Sequence, residues 1–241
     1  DLFPMFDTLQ AKIPRSEWSP ISCRHKIQKI LDQNGLGACN GFAAVQCLTM
    51  CRAIAGLPFV ELSGGQLYGQ MLPIDNGSML GDSLLKLKDV GAVPATLVPQ
   101  LDWKRNKWPS GWQETAKKYR LLEAYDAPDF DTLASAILTG FAVNLGIMVG
   151  SNFDTGPDGW IPNRGGRGGG HAICGIGLAE KNGKWGIEIA NSWSKTWGDD
   201  GFGIVPESYF GGEFTDGWAV RAAVDPSDEP LSSYEEVLVE A

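Results

Sequence analysis

The chain has 241 residues, 43% hydrophobic and 20% charged, which is enough apolar side chain for one large domain or two lobes sharing a core. A formal net charge of −9 offers nothing to hold polyphosphate, so nucleic acid is excluded as a partner, and no segment reaches the roughly 18 consecutive apolar residues of a membrane span. Five cysteines are too few for a disulfide scaffold, and their odd number leaves at least one thiol unpaired within the chain.

Residues 1–32 mix Pro4, Pro14 and Pro20 with short apolar runs and read as an extended arm with a short helix near 25–31. Gly35 and Gly37 then mark a tight loop, and residues 39–55 carry Phe42, Val45, Leu48 and Ile54 at helical spacing. Further helices are expected over 63–71, over 82–90 before Gly91 and Pro94, and over 131–139 before Gly140. Residues 102–118 read as surface loop and helix. After Gly140 the texture changes. The stretches 141–149, 172–178, 185–190, 202–205 and 218–223 are short apolar or alternating blocks between Gly, Asn and Asp turns, the pattern of antiparallel sheet. Helices early and strands late predict an α+β fold with two lobes and a cleft between them.

Chemistry gathers at three places. Cys39 follows the glycine loop and opens a helix, where the positive end of the dipole favours a thiolate. Gln33, on the same loop, brings two amide donors for a developing oxyanion. His171 follows a glycine-rich run from Arg164 and begins a strand, and it is one of only two histidines. The other, His25, sits in the arm with no oxyanion donor near it in sequence. Asn191-Ser192-Trp193 directly follows a strand; Asn191 can accept from an imidazole N–H, and Trp193 can cover that bond from water. Cys47 and Cys51 share one helix face and read as small buried hydrophobes. Two histidines without paired ligand spacing argue against a metal site, and no cofactor is expected.

Taken together, Asp32-Gln33 with Gly37-Ala38-Cys39, Gly169-Gly170-His171-Ala172-Ile173, and Asn191-Ser192-Trp193 with Trp197-Gly198 and Gly201-Phe202 resemble the three active-site segments of papain-like cysteine peptidases. His171 and Asn191 lie 132 and 152 residues after Cys39, close to the ~130–150 of that family. Weaker likenesses lie at Leu62-Ser63, Gln66-Leu67, Gly77-Ser78, 84–93 and 137–147, so the resemblance spans about residues 14–210. It implies a catalytic domain over 1–224, with a helical lobe at about 25–125 and an antiparallel, barrel-like β lobe at about 126–224 that the arm 1–20 joins.

The implied function is cysteine-dependent peptide-bond hydrolysis of polypeptide substrates by an endopeptidase. Cys39 would be the nucleophile, His171 its proton-transfer partner, Asn191 the imidazole's orienter and Gln33 an oxyanion donor. Gly77, Ser78, Gly170 and Trp193 would line the substrate.

Three positions depart from the family pattern. Leu36 stands where a second cysteine would form a disulfide, Asn40 where an aromatic would follow the nucleophile, and Ser194 where Gly would follow Asn-Ser-Trp. These mark a divergent branch of bacterial or viral type. The alternative function is a catalytically silent scaffold within a larger assembly. The segment 225–241 holds six acids and no Lys or Arg, supplying −6 of the net charge. It reads as a solvated tail or as a docking segment for a protein partner. No secretory signal is read in the chain, and a soluble protein is expected.

Overall fold

The structure, a computed structural model, describes residues 2–71, 77–162, 168–210 and 216–223. The acidic segment 225–241 and residues 164–167 of the glycine-rich run lie outside them. In chain order the elements are β1 (Ile21–Ser22), α1 (Cys39–Ile54), α2 (Gly64–Met71), α3 (Leu80–Asp89), α4 (Trp112–Ala116), β2 (Leu121–Asp126), α5 (Phe130–Leu138), β3 (Ala142–Val149), β4 (Gly169–Lys181), β5 (Lys184–Ala190), β6 (Phe202–Pro206) and β7 (Asp216–Ala223).

The helices at 39–55, 63–71, 82–90 and 131–139 and the five late strands are present, with ends moved by a few residues. Two expectations fail. The helix near 25–31 is only a 3-10 turn at Arg24–Lys26. The segment Leu121–Asp126, given no element from the sequence, is a strand. Its burial does not alternate, with Leu121 and Ala124 the buried residues, so period-2 patterning had nothing to show.

The main sheet is antiparallel with order β2-β7-β3-β4-β5-β6, and β1 pairs on β4. β2 and β6 do not pair with each other, so it is an open sheet rather than a closed barrel. The main sheet feeds two cores. Cys174 and Ile176 of β4 and Trp218 and Val220 of β7 face α1, α2 and α3. Val143, Leu145 and Ile147 of β3, with Ile187 and Ile189 of β5, face α5 and the arm residues Phe6 and Trp18. A bulge between Gly175 and Gly177 switches the parity of β4, so Leu178 joins the second core although Cys174 and Ile176 belong to the first.

Helix α1 is the central element. Its residues Asn40–Arg52 are all buried, which explains why no apolar stripe dominates its sequence. It lies very close to α2: a Cβ on Gly41 would fall 2.4 Å from the carbonyl oxygen of Gly64, so only Gly fits there. Cys47 and Cys51 are buried, as their spacing suggested, and Cys47 Sγ touches Cys174 Sγ at 3.2 Å, joining the middle of α1 to β4. All five cysteines are free thiols.

Candidate active site

The loop before α1 is built by local chemistry. The N–H of Leu36 donates to the carbonyl of Gln33 at 2.9 Å, and the turn's two central residues, Asn34 and Gly35, have φ of 44° and 75°. That is a primed turn, which Asn-Gly favours. Asp32 Oδ1 accepts from the Asn34 N–H at 2.8 Å and fixes its entry. The chain then turns directly into α1 with Cys39 as its first residue.

This loop is zipped to the one carrying Asn191. The Gln33 N–H donates to the Ser192 carbonyl at 2.9 Å, the Ser194 N–H to the Leu31 carbonyl at 3.2 Å, and Asp32 and Trp193 form an antiparallel bridge. The Ser192 hydroxyl donates to Gln33 Oε1 at 2.7 Å, and Gln33 Nε2 donates to the Leu36 carbonyl at 2.7 Å. One of the two Nε2 hydrogens is thereby used. The other is uncommitted among the described residues.

His171 lies on β4 and is only 5% exposed. Its Nε2 is 2.8 Å from Asn191 Oδ1. The Ser192 backbone N–H donates to that same atom at 2.8 Å, so the atom must be the oxygen and His171 Nε2 must carry the proton. In the neutral imidazole this leaves Nδ1 as the basic nitrogen. The Trp193 ring lies 4.6 Å from the imidazole, tilted by 31°, and Phe153 meets it edge-on at 6.1 Å. Phe153 in turn stacks on Trp197 and accepts its indole N–H at the backbone carbonyl. Phe153 was missed from the sequence. It lies in a Gly- and Asp-rich loop that shows no periodicity.

The two halves meet at the thiol. The backbone N–H groups of Ala172, the residue after His171, and of Asn40 and Cys39 at the start of α1 lie where they favour the charged form of the Cys39 thiol. Burial raises the Cys39 pKa above the usual thiol value, and these three donors oppose the rise. Burial likewise pushes the His171 pKa down to about 4, opposed by the bond to Asn191. In this state both groups are held neutral, as a thiol and an imidazole. Cys47 and Cys51 differ: burial raises the first well above its usual range and the second to about 12.

Gly77 and Ser78 lie just before α3, beside the start of α1. The Gly77 N–H donates to the Tyr68 hydroxyl at 3.1 Å, and Asn40 Nδ2 donates to Ser78 Oγ at 2.9 Å. The backbone N–H and C=O of Ser78 pair with no described residue. Gly170, the second residue of β4, lies exposed beside His171, with no described residue within 4 Å of where a Cβ would stand. Trp193 is half-buried against the imidazole. No group of three or more His, Cys, Asp or Glu that could hold a metal occurs among the described residues. Nor does any described helix have the length and apolarity to cross a membrane.

Ser194 shows why the family favours Gly there: its φ is 66°, the left-handed region that costs an L side chain. Its hydroxyl offsets part of that cost by bonding Thr196 Oγ1 at 2.7 Å and the Thr196 N–H at 3.2 Å.

Residues 99–209 match the family model for papain family cysteine proteases, a stretch holding His171 and Asn191 but not Cys39. A curated relative, cathepsin B-like CP3 of Giardia intestinalis, is 28% identical over 195 residues, which cover 74% of this chain and 64% of that protein. The chain therefore spans less than two thirds of the relative's length. The crystal structure of xylellain, a cysteine protease from Xylella fastidiosa, aligns with a TM-score of 0.71 at 20% identity, covering 87% of this chain and 93% of that one. The bromelain protease from Ananas comosus, in complex with the E64 inhibitor, aligns at 0.63 and 19% identity, over 87% of this chain and 99% of that one. The match over residues 99–209, the curated relative and the solved structures together lead to one statement: the chain has a papain-like fold and is similar to papain family cysteine proteases.

Proposed function

We propose that this chain is a thiol hydrolase that cleaves peptide bonds within polypeptides, with Cys39, His171 and Asn191 as its triad. The observation that carries this reading is the buried Nε2–Oδ1 bond between His171 and Asn191, one residue from the Ala172 N–H that favours the charged form of the Cys39 thiol. With Nε2 committed to Asn191, Nδ1 is the nitrogen left to take the thiol proton. As the sulfur attacks the substrate carbonyl, His171 becomes an imidazolium that Asn191 Oδ1 stabilises. The oxyanion that forms accepts from the Cys39 N–H and from the uncommitted Nε2 hydrogen of Gln33. His171 then returns the proton to the leaving amine, and the bond from carbon to nitrogen breaks to leave a thioester. Water, losing a proton to His171, hydrolyses the thioester and restores the thiol. Trp193 and Phe153 keep water off the His–Asn bond, which strengthens it in a low-dielectric setting.

Substrate binding fits the same frame. The N–H and C=O of Ser78, which pair with no described residue, suit an extended peptide backbone, the pattern by which a strand residue pairs. The space at Gly170, clear of described residues, leaves room for chain on the other side of His171.

The test is limiting alkylation with iodoacetamide near pH 6, read residue by residue by mass spectrometry, alongside peptide-library cleavage. Cys47, Cys51 and Cys174 are buried, and Cys23, partly exposed, is the internal control. Labelling of Cys39 ahead of Cys23, with cleavage lost in step, is expected. Equal reactivity of the two in the folded protein, without cleavage, would overturn this reading in favour of a silent scaffold.

A further inference from the structure

The residue after the nucleophile is the clearest departure from the family pattern, and its side chain is fully employed. Asn40 is 2% exposed. Its Nδ2 donates to Ser78 Oγ at 2.9 Å and to the Met79 carbonyl at 2.6 Å, while its Oδ1 accepts from the Ser83 hydroxyl at 2.7 Å. Both amide hydrogens and the carbonyl oxygen thus point at one segment, the entry to α3. Ser83 is itself fully buried, so the acceptor end is held rigidly. An aromatic residue could pack in this place, but it could not make these three bonds.

The consequence is geometric. Cys39 and Asn40 are consecutive in the first turn of α1, one carrying the thiol and the other holding the Ser78 hydroxyl and the Met79 backbone carbonyl. We propose that Asn40 is a positioning residue for peptide substrates: it sets the distance between the Cys39 sulfur and the Ser78 backbone that pairs with the substrate chain. This rests on the peptidase reading above. An extended peptide held at Ser78 presents its carbonyl to the sulfur only if that spacing is right, and a misplacement of about 1 Å costs about 100-fold in rate. A small reagent that makes no contact at Ser78 is indifferent to it.

That contrast gives the experiment. The rate of Cys39 alkylation is measured in the full chain with iodoacetamide and with an acetyl-tripeptidyl chloromethyl ketone, with labelled sites resolved by mass spectrometry. Both reagents lose halide to the same sulfur, so a change in the thiol's ionisation cancels in the ratio of the two rates. The wild-type chain is expected to favour the peptidyl reagent strongly. In Asn40→Ala the ratio should fall by about 10- to 100-fold, with the iodoacetamide rate changed far less. Asn40→Asp is nearly isosteric and keeps the Ser83 bond, so it guards against a variant that does not fold. It cannot donate to the Met79 carbonyl, and its ratio should fall as well. Ser83→Ala loses only the bond that orients the amide and should lower the ratio several-fold.

An unchanged ratio in folded Asn40→Ala and Asn40→Asp, with the wild-type preference intact, would overturn the positioning role and leave Asn40 a purely structural residue. A wild-type chain without preference for the peptidyl reagent would instead overturn the peptidase reading on which the inference stands.

Discussion

The two sides of the candidate site are built differently. The sheet side is a closed unit: His171 is bonded to Asn191, Asn191 accepts a second bond from Ser192, and Trp193 and Phe153 cover the imidazole. It also falls wholly inside the stretch that matches the papain family model. The helix side lies outside that stretch and carries two of the three departures, Leu36 and Asn40. There the charged form of the thiol is favoured by backbone N–H groups, which are indifferent to side-chain identity. The contrast teaches where this fold tolerates change. Proton transfer needs particular side chains at fixed distances, whereas a helix N-terminus supplies its donors from any sequence that will form the helix.

The largest test of this division removes the side-chain chemistry itself. Cys39→Ala and His171→Ala should each lower peptide cleavage by about 10⁴-fold or more, and the double variant should be little worse than either, because the two act as a unit. Steady-state rates on one peptide substrate measure this. Multiplicative losses would break the unit. The next effect is at the seam. Gln33→Ala should lower kcat by about 10²- to 10³-fold with little change in KM, as expected for a donor that serves the transition state. A rise in KM alone would assign Gln33 to holding the loops together through Ser192 instead.

The buried imidazole makes a prediction that separates two resting states. With the His171 pKa pushed down to about 4 from 6.5, the unfolded chain binds the proton more readily than the folded one. His171 then contributes full stability above about pH 6.5, loses it as pH falls towards 4, and changes no further below. The span is about 3 kcal/mol. Urea unfolding of the wild type and of His171→Gln at pH 7 and pH 4.5 should show a steeper acid loss in the wild type. A resting thiolate–imidazolium pair raises the His pKa instead and reverses the sign: the wild type would then lose stability relative to the variant as pH rises.

Much of this architecture was legible because its signals are local. Asn-Gly before Cys39 marks the primed turn, Phe42, Val45 and Leu48 mark α1, and the order of Gln33, Cys39, His171 and Asn191 marks the residues proposed for the site. What was not legible depends on partners distant in the chain. Leu121–Asp126 becomes a strand only because β7 offers it an edge, and its own Leu-Leu-Glu-Ala-Tyr-Asp carries no alternation. The barrel-like closure expected of the β lobe requires β2 and β6 to meet, and no single strand's sequence encodes that. Asn40 was visible as an odd residue, but its role depends on Ser78, Met79 and Ser83 some forty residues later. Trp193 could be named as a cover for the His–Asn bond, while Phe153, its neighbour in that task, could not.

The smallest effect probes the one departure on the sheet side. Ser194 holds φ at 66°, a conformation that costs a residue with a Cβ about 1 kcal/mol relative to Gly. Ser194→Gly removes that strain, but it also removes the hydroxyl that bonds Thr196 and adds freedom to the unfolded chain. Those bonds are exposed, where exchange with water makes them weak, so the backbone term should win by about 0.5 kcal/mol. The substitution should therefore raise the thermal midpoint by about 1–2 °C without changing cleavage. A lowered midpoint would mean that the Ser194–Thr196 pair outweighs the strain. The sheet side would then have absorbed its departure as the helix side has absorbed Asn40, by giving the substituted side chain hydrogen bonds of its own.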